Sequence, residues 1–229
     1  MKRFYKQAAA GEYEGAYAVL LDGRPVRTPH RTLLQLPTAS LAAALADEWQ
    51  AQTEEIVPAA MPLTQLASTA LDRVAPQIGA VAAEIAKFAE TDLVCYRADS
   101  PSSLVQAQSS AWSPLIDWMA ETFGARLVIT SGIQPVPQPS DTIAQVQNAV
   151  ARFGAFPLAA VSRATAVTGS VVIALALAHG RLTGDEAADA AQIDEIHQME
   201  RWGREADAEE RLAFARAELC AAERFLALL

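Results

Sequence analysis

The stretch YAVLLDGRPVRTPHRTLLQL, Tyr17–Leu36, decides how the chain begins to fold. Tyr17–Leu21 predicts a first strand. The segment DGRP, Asp22–Pro25, predicts a turn because glycine tolerates positive φ and proline restricts the backbone of its neighbour. Val26–Thr28 and Thr32–Leu36 predict two further short strands. The pattern therefore favours a small antiparallel meander close to the N-terminus.

Helical spacing dominates the rest of the chain. Thr38 or Ser40 is expected to cap a helix that continues to about Gln52 and turns Trp49 inward. A second helix with one apolar stripe is predicted over Pro62–Val74. The later predicted helices are Pro76–Ala89, Pro101–Phe123, Asp141–Phe153, Pro157–Ala166, Ser170–His179, Gly184–Trp202 and Asp207–Leu229.

Two extended pieces interrupt these helices, Asp92–Tyr96 and Arg126–Thr130, and a proline-containing loop is predicted over Ser131–Ser140. The predicted fold class is therefore α+β, with a small N-terminal antiparallel sheet-plus-helix part and a larger all-helical C-terminal part. We expect a small α+β domain over residues 1–80 and a mainly helical domain over residues 81–229.

Composition limits the possible partners. The 229 residues carry a formal net charge of −9, and 52% of them are hydrophobic. An acidic surface repels nucleic acid and anionic lipid, and it suits a basic protein surface better. The most apolar run, Val171–Ala178, is far shorter than the roughly 20 residues that span a bilayer. The polar start MKRFYK lacks the apolar core of a signal peptide, so we expect a cytoplasmic protein without membrane insertion.

Neither metal nor cofactor chemistry is suggested by the motifs. The cysteines Cys95 and Cys220 and the histidines His30, His179 and His197 show no metal-ligand spacing. Both thiols are expected to be buried and reduced. The sequence has no Walker-type phosphate loop, no GxGxxG after a strand, no GxSxG elbow and no HExxH helix. We therefore expect no cofactor, no nucleotide hydrolysis and no enzyme.

One face of the predicted helix Gly184–Trp202 carries a possible recognition stripe. Ala191, Glu195, Gln198 and Trp202 share this face by three-and-four spacing. A carboxylate can bind an arginine, and an indole is a common interface anchor. From spacing alone, an ordinary helix with a solvated glutamate and a half-buried tryptophan is the simpler interpretation. Three apolar positions point in other directions and are expected to face the core: Ile193, Ile196 and Met199.

Two positive charges, Arg24 and Arg27, stand beside the predicted turn. They could hold an acidic partner and so form a second surface. An internal or solvated role is the simpler interpretation, because exposed charge pairs contribute little.

Five strings, taken in order, resemble one family. They are KRFYK at Lys2–Lys6, LDGRPVRTP at Leu21–Pro29, PLTQLASTALDRV at Pro62–Val74, TDLVCYRA at Thr91–Ala98 and DEIHQMERWG at Asp194–Gly203. Their order and spacing resemble the assembly chaperones of the F-type ATP synthase head, the Atp-twelve family. The resemblance implies a bacterial chaperone that binds the free alpha subunit and hands it on to the beta subunit.

The resemblance also implies which residues contact the client. The family's last string contains an acidic residue implicated in chaperone function, and Glu195 matches it. Gln198, Trp202 and Gly203 match as well, and Asp194 is included as a candidate. Relatives often have an acidic pair followed by proline after this string, whereas this chain has Arg204-Glu205-Ala206.

Two other classes of protein stay open from the residues alone. A small-molecule enzyme or ligand-binding protein on a helical scaffold would use Asp92, Tyr96, Arg97, Asp194 and Glu195 as its polar groups. A structural subunit would instead remain in the finished complex.

Overall fold

A computed structural model describes residues 1–132, 136–203 and 205–229. Contacts within the chain group these residues into two compact units. The first unit contains Met1–Ile78, Gly154–Ala160 and Arg224–Leu229, and the second contains Gly79–Phe153 and Val161–Glu223. These units are defined by contacts alone, so the division into a domain of residues 1–80 and a domain of residues 81–229 stays a prediction.

The first unit begins with a three-stranded antiparallel sheet in the order β1-β2-β3. Its strands are β1 (Ala8–Tyr13), β2 (Ala16–Leu21) and β3 (Arg24–Pro25). Asp22 and Gly23 form the second turn with φ of 47° and 80°, the conformation that the DG dipeptide favours. The sequence did not predict β1, because its alanine-rich segment lacks β-branched side chains, and pairing with β2 overrides that local preference.

The rest of the predicted meander is thinner than expected. The segments 26–28 and 32–36 meet in a single bridge, Arg27 with Leu33, and a second single bridge joins Leu36 to Tyr17 of β2. Proline and positive-φ geometry interrupt regular pairing there, since Arg31 has a φ of 66°.

Helix α1 (Ala39–Gln50) packs on β1 and β2. Its cap is Thr38, whose hydroxyl oxygen accepts a hydrogen bond from the amide of Leu41 at 3.1 Å. Leu41 and Leu45 are fully buried against the sheet, while Trp49 is half-buried. The predicted inward stripe of this helix is therefore confirmed.

Helix α2 (Pro62–Thr69) continues into a π-helical turn, Ala70–Val74. The carboxylate of Glu48 accepts hydrogen bonds from the amides of Leu63 and Thr64, each at 2.8 Å, and so caps the start of α2. Burial raises the pKa of the Glu48 carboxyl above its usual range.

The second unit is mainly helical, and the fold class α+β is confirmed. Its helices, three of which also supply residues to the first unit, are α3 (Ile78–Lys87), α4 (Ser102–Phe123), α5 (Ser140–Val150), α6 (Ala155–Thr168), α7 (Val171–Ala178), α8 (Gly184–Ala191), α9 (Ile193–Trp202) and α10 (Ala206–Ala227). A short parallel pair, β4 (Tyr96–Arg97) with β5 (Thr130–Ser131), accompanies them.

Helix α7 forms the centre of this unit, because every residue from Val171 to Leu177 is buried. The hydroxyl oxygen of Ser170 caps it by accepting from the amide of Ile173 at 3.0 Å. Across the described ranges of the chain, we find no helix with both the length and the apolar content to cross a membrane.

Two predicted extended segments differ from the structure. The segment Asp92–Tyr96 is extended only at its two ends, because Asp92 accepts a hydrogen bond from the amide of Val94 and starts a 3-10 turn, Leu93–Cys95, before β4 begins at Tyr96. The strand predicted at Arg126–Thr130 is wrong except at Thr130. The loop predicted at Ser131–Ser140 includes residues 133–135, which lie outside the described residues.

The helix predicted over Gly184–Trp202 is in fact two helices, α8 and α9, which meet at Gln192. The backbone of Gln192 leaves helical geometry with φ −104° and ψ 10°. Its buried side chain donates a hydrogen bond from Nε2 to the carbonyl of Leu212 on α10 at 2.9 Å. This tertiary bond accompanies the break, which neither glycine nor proline marks in the sequence.

Candidate protein-binding groove

Helices α9 and α10 border a groove of about 470 Å³ in the second unit. We call it the α9–α10 groove. Its polar and aromatic wall consists of Gln192, Glu195, Gln198, Trp202, Glu205 and Arg211. Its apolar floor includes Leu93, Val167, Met199, Leu212 and Leu219. A cavity of this size can accept one or two side chains of a partner.

The predicted stripe of α9 lies along this groove. Glu195, Gln198 and Trp202 all line it, and Gly203 follows them at the end of the helix with a φ of 100°. The Trp202 side chain is 76% exposed, and the carboxylate and amide of the other two residues are exposed as well. An indole this exposed contributes little to the core, so it is available to a partner.

The three apolar residues of α9 that were expected to face the core are enclosed only in part. Ile193, Ile196 and Met199 are half-buried, and no side chain of α9 is fully buried. Met199 lines the groove together with Glu195. The apolar side chains of α9 therefore reach only partly into the interior.

The sequence analysis missed the wall that α10 supplies. Ala208, Arg211, Leu212, Ala215 and Leu219 all line the groove. Their three-and-four spacing is a signal that could have identified this face of α10. Nearby on the same helix, the Phe214 ring is 58% exposed, which extends the apolar surface beyond the groove.

The rim of the groove is acidic. Among the described residues its charged lining consists of Glu195, Glu205 and Arg211, an excess of one negative charge, and the surrounding segment 194–210 contains seven carboxylates and two arginines. Arg204 is the first residue of the segment Arg204-Glu205-Ala206, in which this chain differs from the family pattern, and it lies outside the described residues. A local excess of negative charge favours a basic partner and accelerates its encounter with the groove.

Asp194 has a different role from its neighbour Glu195. Its Oδ1 accepts a hydrogen bond from Nε2 of the buried Gln108 on α4 at 2.6 Å. The Oε1 of Gln108 in turn accepts from the amide of Ala98 at 2.8 Å. Asp194 therefore ties α9 to α4, whereas Glu195 faces the groove.

The string TDLVCYRA at Thr91–Ala98 is used internally. Asp92 is fully buried, and its carboxylate accepts from the Ser170 hydroxyl at 2.6 Å and from the Val172 amide at 3.1 Å. Burial raises the pKa of the Asp92 carboxyl to about 6. Asp92 thus holds the start of α7 in place.

Arg97 serves the same internal purpose. Its guanidinium donates hydrogen bonds to the carbonyls of Val94 at 2.9 Å and of Gln108 at 2.8 Å. It also lies over the Trp112 ring, 5.1 Å from the ring centroid. Trp112 is fully buried and donates its indole N–H to the carbonyl of Ala190 at 2.7 Å. These bonds join β4, α4 and α8.

The two cysteines differ in burial. Cys95 is fully buried, and burial raises the pKa of its thiol to about 12, which opposes formation of a reactive thiolate. Cys220 is half-buried, which corrects the expectation that both thiols are buried. It packs against Gly184, where a Cβ atom would come within 2.5 Å of the Cys220 Cα. In the described part of the chain, no three His, Cys, Asp or Glu side chains group together as a metal site would require.

The polar groups considered for a small-molecule site do not meet in one cavity. Five polar groups were considered: Asp92, Tyr96, Arg97, Asp194 and Glu195. In the described part of the chain, Glu195 alone of these five lines the α9–α10 groove. Three of the others have the internal hydrogen-bond partners given above, and Tyr96 is half-buried within β4. The arrangement gives no support to a catalytic constellation of these five groups.

The string LDGRPVRTP at Leu21–Pro29 is also held internally. Thr28 donates its hydroxyl to Oδ1 of Asp72 at 2.6 Å, and the His30 amide donates to Oδ2 of Asp72 at 3.1 Å. Arg24 is exposed, and the exposed Arg27 donates to the carbonyl of Arg31 at 2.9 Å. Two of the five strings therefore meet at Asp72.

The fold and the groove together give an α+β chain on which an exposed indole, an apolar floor and an acidic rim form one surface. The model of the ATP12 chaperone protein family matches residues 2–120. The chain belongs to the ATP12 chaperone family, and the resemblance to the assembly chaperones of the F-type ATP synthase head is confirmed.

Individual relatives agree with this assignment. The mitochondrial protein atp12 of Schizosaccharomyces pombe is 24% identical over 221 residues, which cover 91% of this chain and 76% of that protein. The crystal structure of Atp12 from Paracoccus denitrificans is similar with a TM-score of 0.93 and 44% identity, covering 99% of this chain and 97% of the other. An aspartate-to-lysine mutant of the P. denitrificans protein has a TM-score of 0.92 at the same identity and coverage.

Proposed function

We propose that this chain binds the free alpha subunit of the F-type ATP synthase head and that the α9–α10 groove contacts this client. The observation that carries the proposal is the shared position of Glu195, Gln198 and Trp202 on a groove with an apolar floor. The family assignment supports a chaperone, and the exposed stripe supports the place at which it binds.

The physical need for such a chaperone follows from ring assembly. A subunit made for a ring exposes an apolar interface before its neighbour arrives, and exposed apolar patches aggregate. A stoichiometric binder lowers the free concentration of that state by mass action. The beta subunit then competes for the same surface and releases the chaperone, which needs no nucleotide hydrolysis and no catalysis of its own.

The groove favours a client segment of defined chemistry. An apolar side chain would pack against Met199 and the indole of Trp202, where burial contributes most to affinity. A neighbouring arginine would bind the Glu195 carboxylate through two parallel hydrogen bonds. The acidic rim would then raise the rate of association rather than the final affinity.

We further propose that the protein acts in the bacterial cytoplasm, where the subunits of the head are synthesised. Support for a bacterial setting comes from the P. denitrificans structures, which share 44% of their residues with this chain.

Co-expression tests the client. The chain is produced with the alpha subunit or with the beta subunit of the same organism, and the soluble fraction and co-elution of each are measured. We expect the alpha subunit alone to become soluble and to co-elute, and we expect added beta subunit to displace the chain. Equal rescue of both subunits, or no rescue of alpha, would contradict the assignment of the client.

Charge reversal tests the groove. Glu195→Lys places a positive charge in the groove, and Glu200→Lys makes the same change at an exposed position of α9 that does not line it. We expect Glu195→Lys to lower co-elution of the alpha subunit about tenfold and Glu200→Lys to leave it within about twofold. Equal effects of the two variants would assign the loss to general charge and remove the groove from the proposal.

A further inference from the structure

A second cavity lies in the first unit, remote in sequence from α9 and α10. It has a volume of about 450 Å³ and is bordered by the strings LDGRPVRTP and PLTQLASTALDRV and by residues 56–61. We call it the Met61 pocket. Its apolar lining includes Val26, Trp49, Ile56 and Met61. A cavity of this size with an apolar lining has the dimensions of a ligand or side-chain site.

The one carboxylate that lines the Met61 pocket is already engaged. The Asp72 side chain is only 5% exposed, since the hydroxyl of Thr28 and the amide of His30 donate to its two oxygens. Burial raises the pKa of Asp72, but these hydrogen bonds outweigh burial and leave the pKa below its usual value. Asp72 therefore stays ionised and shielded, and it offers little to a basic ligand.

Two guanidinium groups of the pocket are held by no carboxylate among the described residues, although that of Arg27 donates one hydrogen bond to the carbonyl of Arg31. Arg27 and Arg73 line it and are exposed, and among the described residues neither guanidinium forms an ion pair with a carboxylate. The indole Nε1 of Trp49 is buried and has no hydrogen-bond partner in the described part of the chain. A buried donor without a partner is costly to the folded chain, but its burial keeps it from a ligand, so the two arginines decide the chemistry of the segment that binds.

We propose that the Met61 pocket binds an acidic segment of the protein client, with one apolar side chain in the cavity and its flanking carboxylates at Arg27 and Arg73. The charge of the site is opposite to that of the α9–α10 groove, although the chain as a whole has a net charge of −9. Because the two sites have opposite charge, each would select a client segment of different chemistry. The identity of the client rests on the proposed function. The acidic and apolar character of the bound segment rests on the pocket alone.

Short peptides test the pocket without the alpha subunit. Three fluorescein-labelled nonapeptides carry a central leucine flanked by two glutamates, two glutamines or two lysines, and their binding is measured by fluorescence anisotropy. We expect the glutamate peptide to bind about tenfold more tightly than the lysine peptide. This order is diagnostic, because the acidic protein as a whole would attract the lysine peptide.

Charge-reversed variants locate the binding. The double variant Arg27→Glu plus Arg73→Glu should abolish the preference for the glutamate peptide. Arg24→Glu is the control: it reverses the charge of an arginine on the same string, LDGRPVRTP, that does not line the pocket, and it should retain the preference. Glu195→Lys, in the α9–α10 groove, should retain the preference as well. All three sets change exposed side chains, so melting temperatures should stay within a few degrees.

Two outcomes would overturn the inference. One is a wild-type protein that fails to prefer the glutamate peptide. The other is a preference that survives in the folded double variant. Either result leaves the α9–α10 groove untouched, because its test uses the alpha subunit and Glu195. Loss of alpha binding in Glu195→Lys with an intact peptide preference would conversely separate the two sites.

Discussion

Two segments of the second unit, Thr91–Ala98 and helix α9, both belong to strings that resemble the family, yet they use their polar side chains in opposite ways. In the first segment, Asp92 and Arg97 form internal hydrogen bonds, although Nη2 of Arg97 is buried without a partner in the described part of the chain. In α9, Glu195 and Trp202 face outward into a groove. The comparison shows that the strings shared with the family contain two kinds of residue. Buried, hydrogen-bonded residues stabilise the fold, whereas exposed residues are available to a partner.

Removal of the Asp92 carboxylate should have the largest effect on stability. Asp92→Ala leaves the Ser170 hydroxyl and the Val172 amide without their acceptor at a fully buried position. We expect the free energy of unfolding in urea to fall by about 3–4 kcal/mol. A loss below about 1 kcal/mol would show that this segment does not hold α7 in place.

The same carboxyl should give stability an identifiable pH dependence. Its pKa of about 6 in the folded protein exceeds the ordinary value of 3.8, so the folded state takes up this proton first as pH falls. The free energy of unfolding should therefore decrease by about 3 kcal/mol as pH rises from about 4 to about 6. Subtracting the profile of Asp92→Asn removes the contributions of other groups, and a flat difference between the two profiles would contradict the expectation.

Loss of the Gln108 side chain should have an intermediate effect. Gln108→Ala removes the hydrogen bonds to Asp194 and to the Ala98 amide from a nearly buried position. We expect the free energy of unfolding to fall by about 2 kcal/mol, measured by urea denaturation. Because Asp194 ties α9 to α4, hydrogen exchange of α9 amides should also accelerate; unchanged exchange would mean that other contacts fix this helix.

Truncation at the groove should have the smallest effect on stability. Trp202→Ala removes a side chain that is 76% exposed, so the free energy of unfolding should change by less than about 0.5 kcal/mol. Co-elution of the alpha subunit should nevertheless fall about tenfold. If the variant unfolded instead, Trp202 would belong with Asp92 among the residues that hold the fold.

Most of the fold could be predicted from local patterns. The helices of the second unit follow from three-and-four spacing, and Gly124 ends α4 with a φ of 70°, as a glycine after a helix should. Strand β1 could not be predicted, because alanine carries no strand preference and only pairing with β2 creates it. The break at Gln192 was equally invisible, since it accompanies a hydrogen bond to Leu212, twenty residues further along the chain.

The candidate site could be predicted only in part. Spacing placed Glu195, Gln198 and Trp202 on one face, and the structure places that face on a groove. Spacing could not distinguish Asp194 from Glu195, because their different roles depend on Gln108, which lies 86 residues away in the sequence. The Met61 pocket was missed for the same reason, since its charge depends on which of its polar groups already have partners.

The most direct test of the central claim is site-specific photocrosslinking in the complex with the alpha subunit. The photoreactive residue p-benzoylphenylalanine replaces Gln198, which lines the groove, or Glu200, which lies on the same helix outside it. We expect a covalent adduct of the combined mass of the two proteins at Gln198 and little at Glu200. Equal adducts at both positions, or none at Gln198 while the alpha subunit stays bound, would contradict the assignment of the groove as the client site.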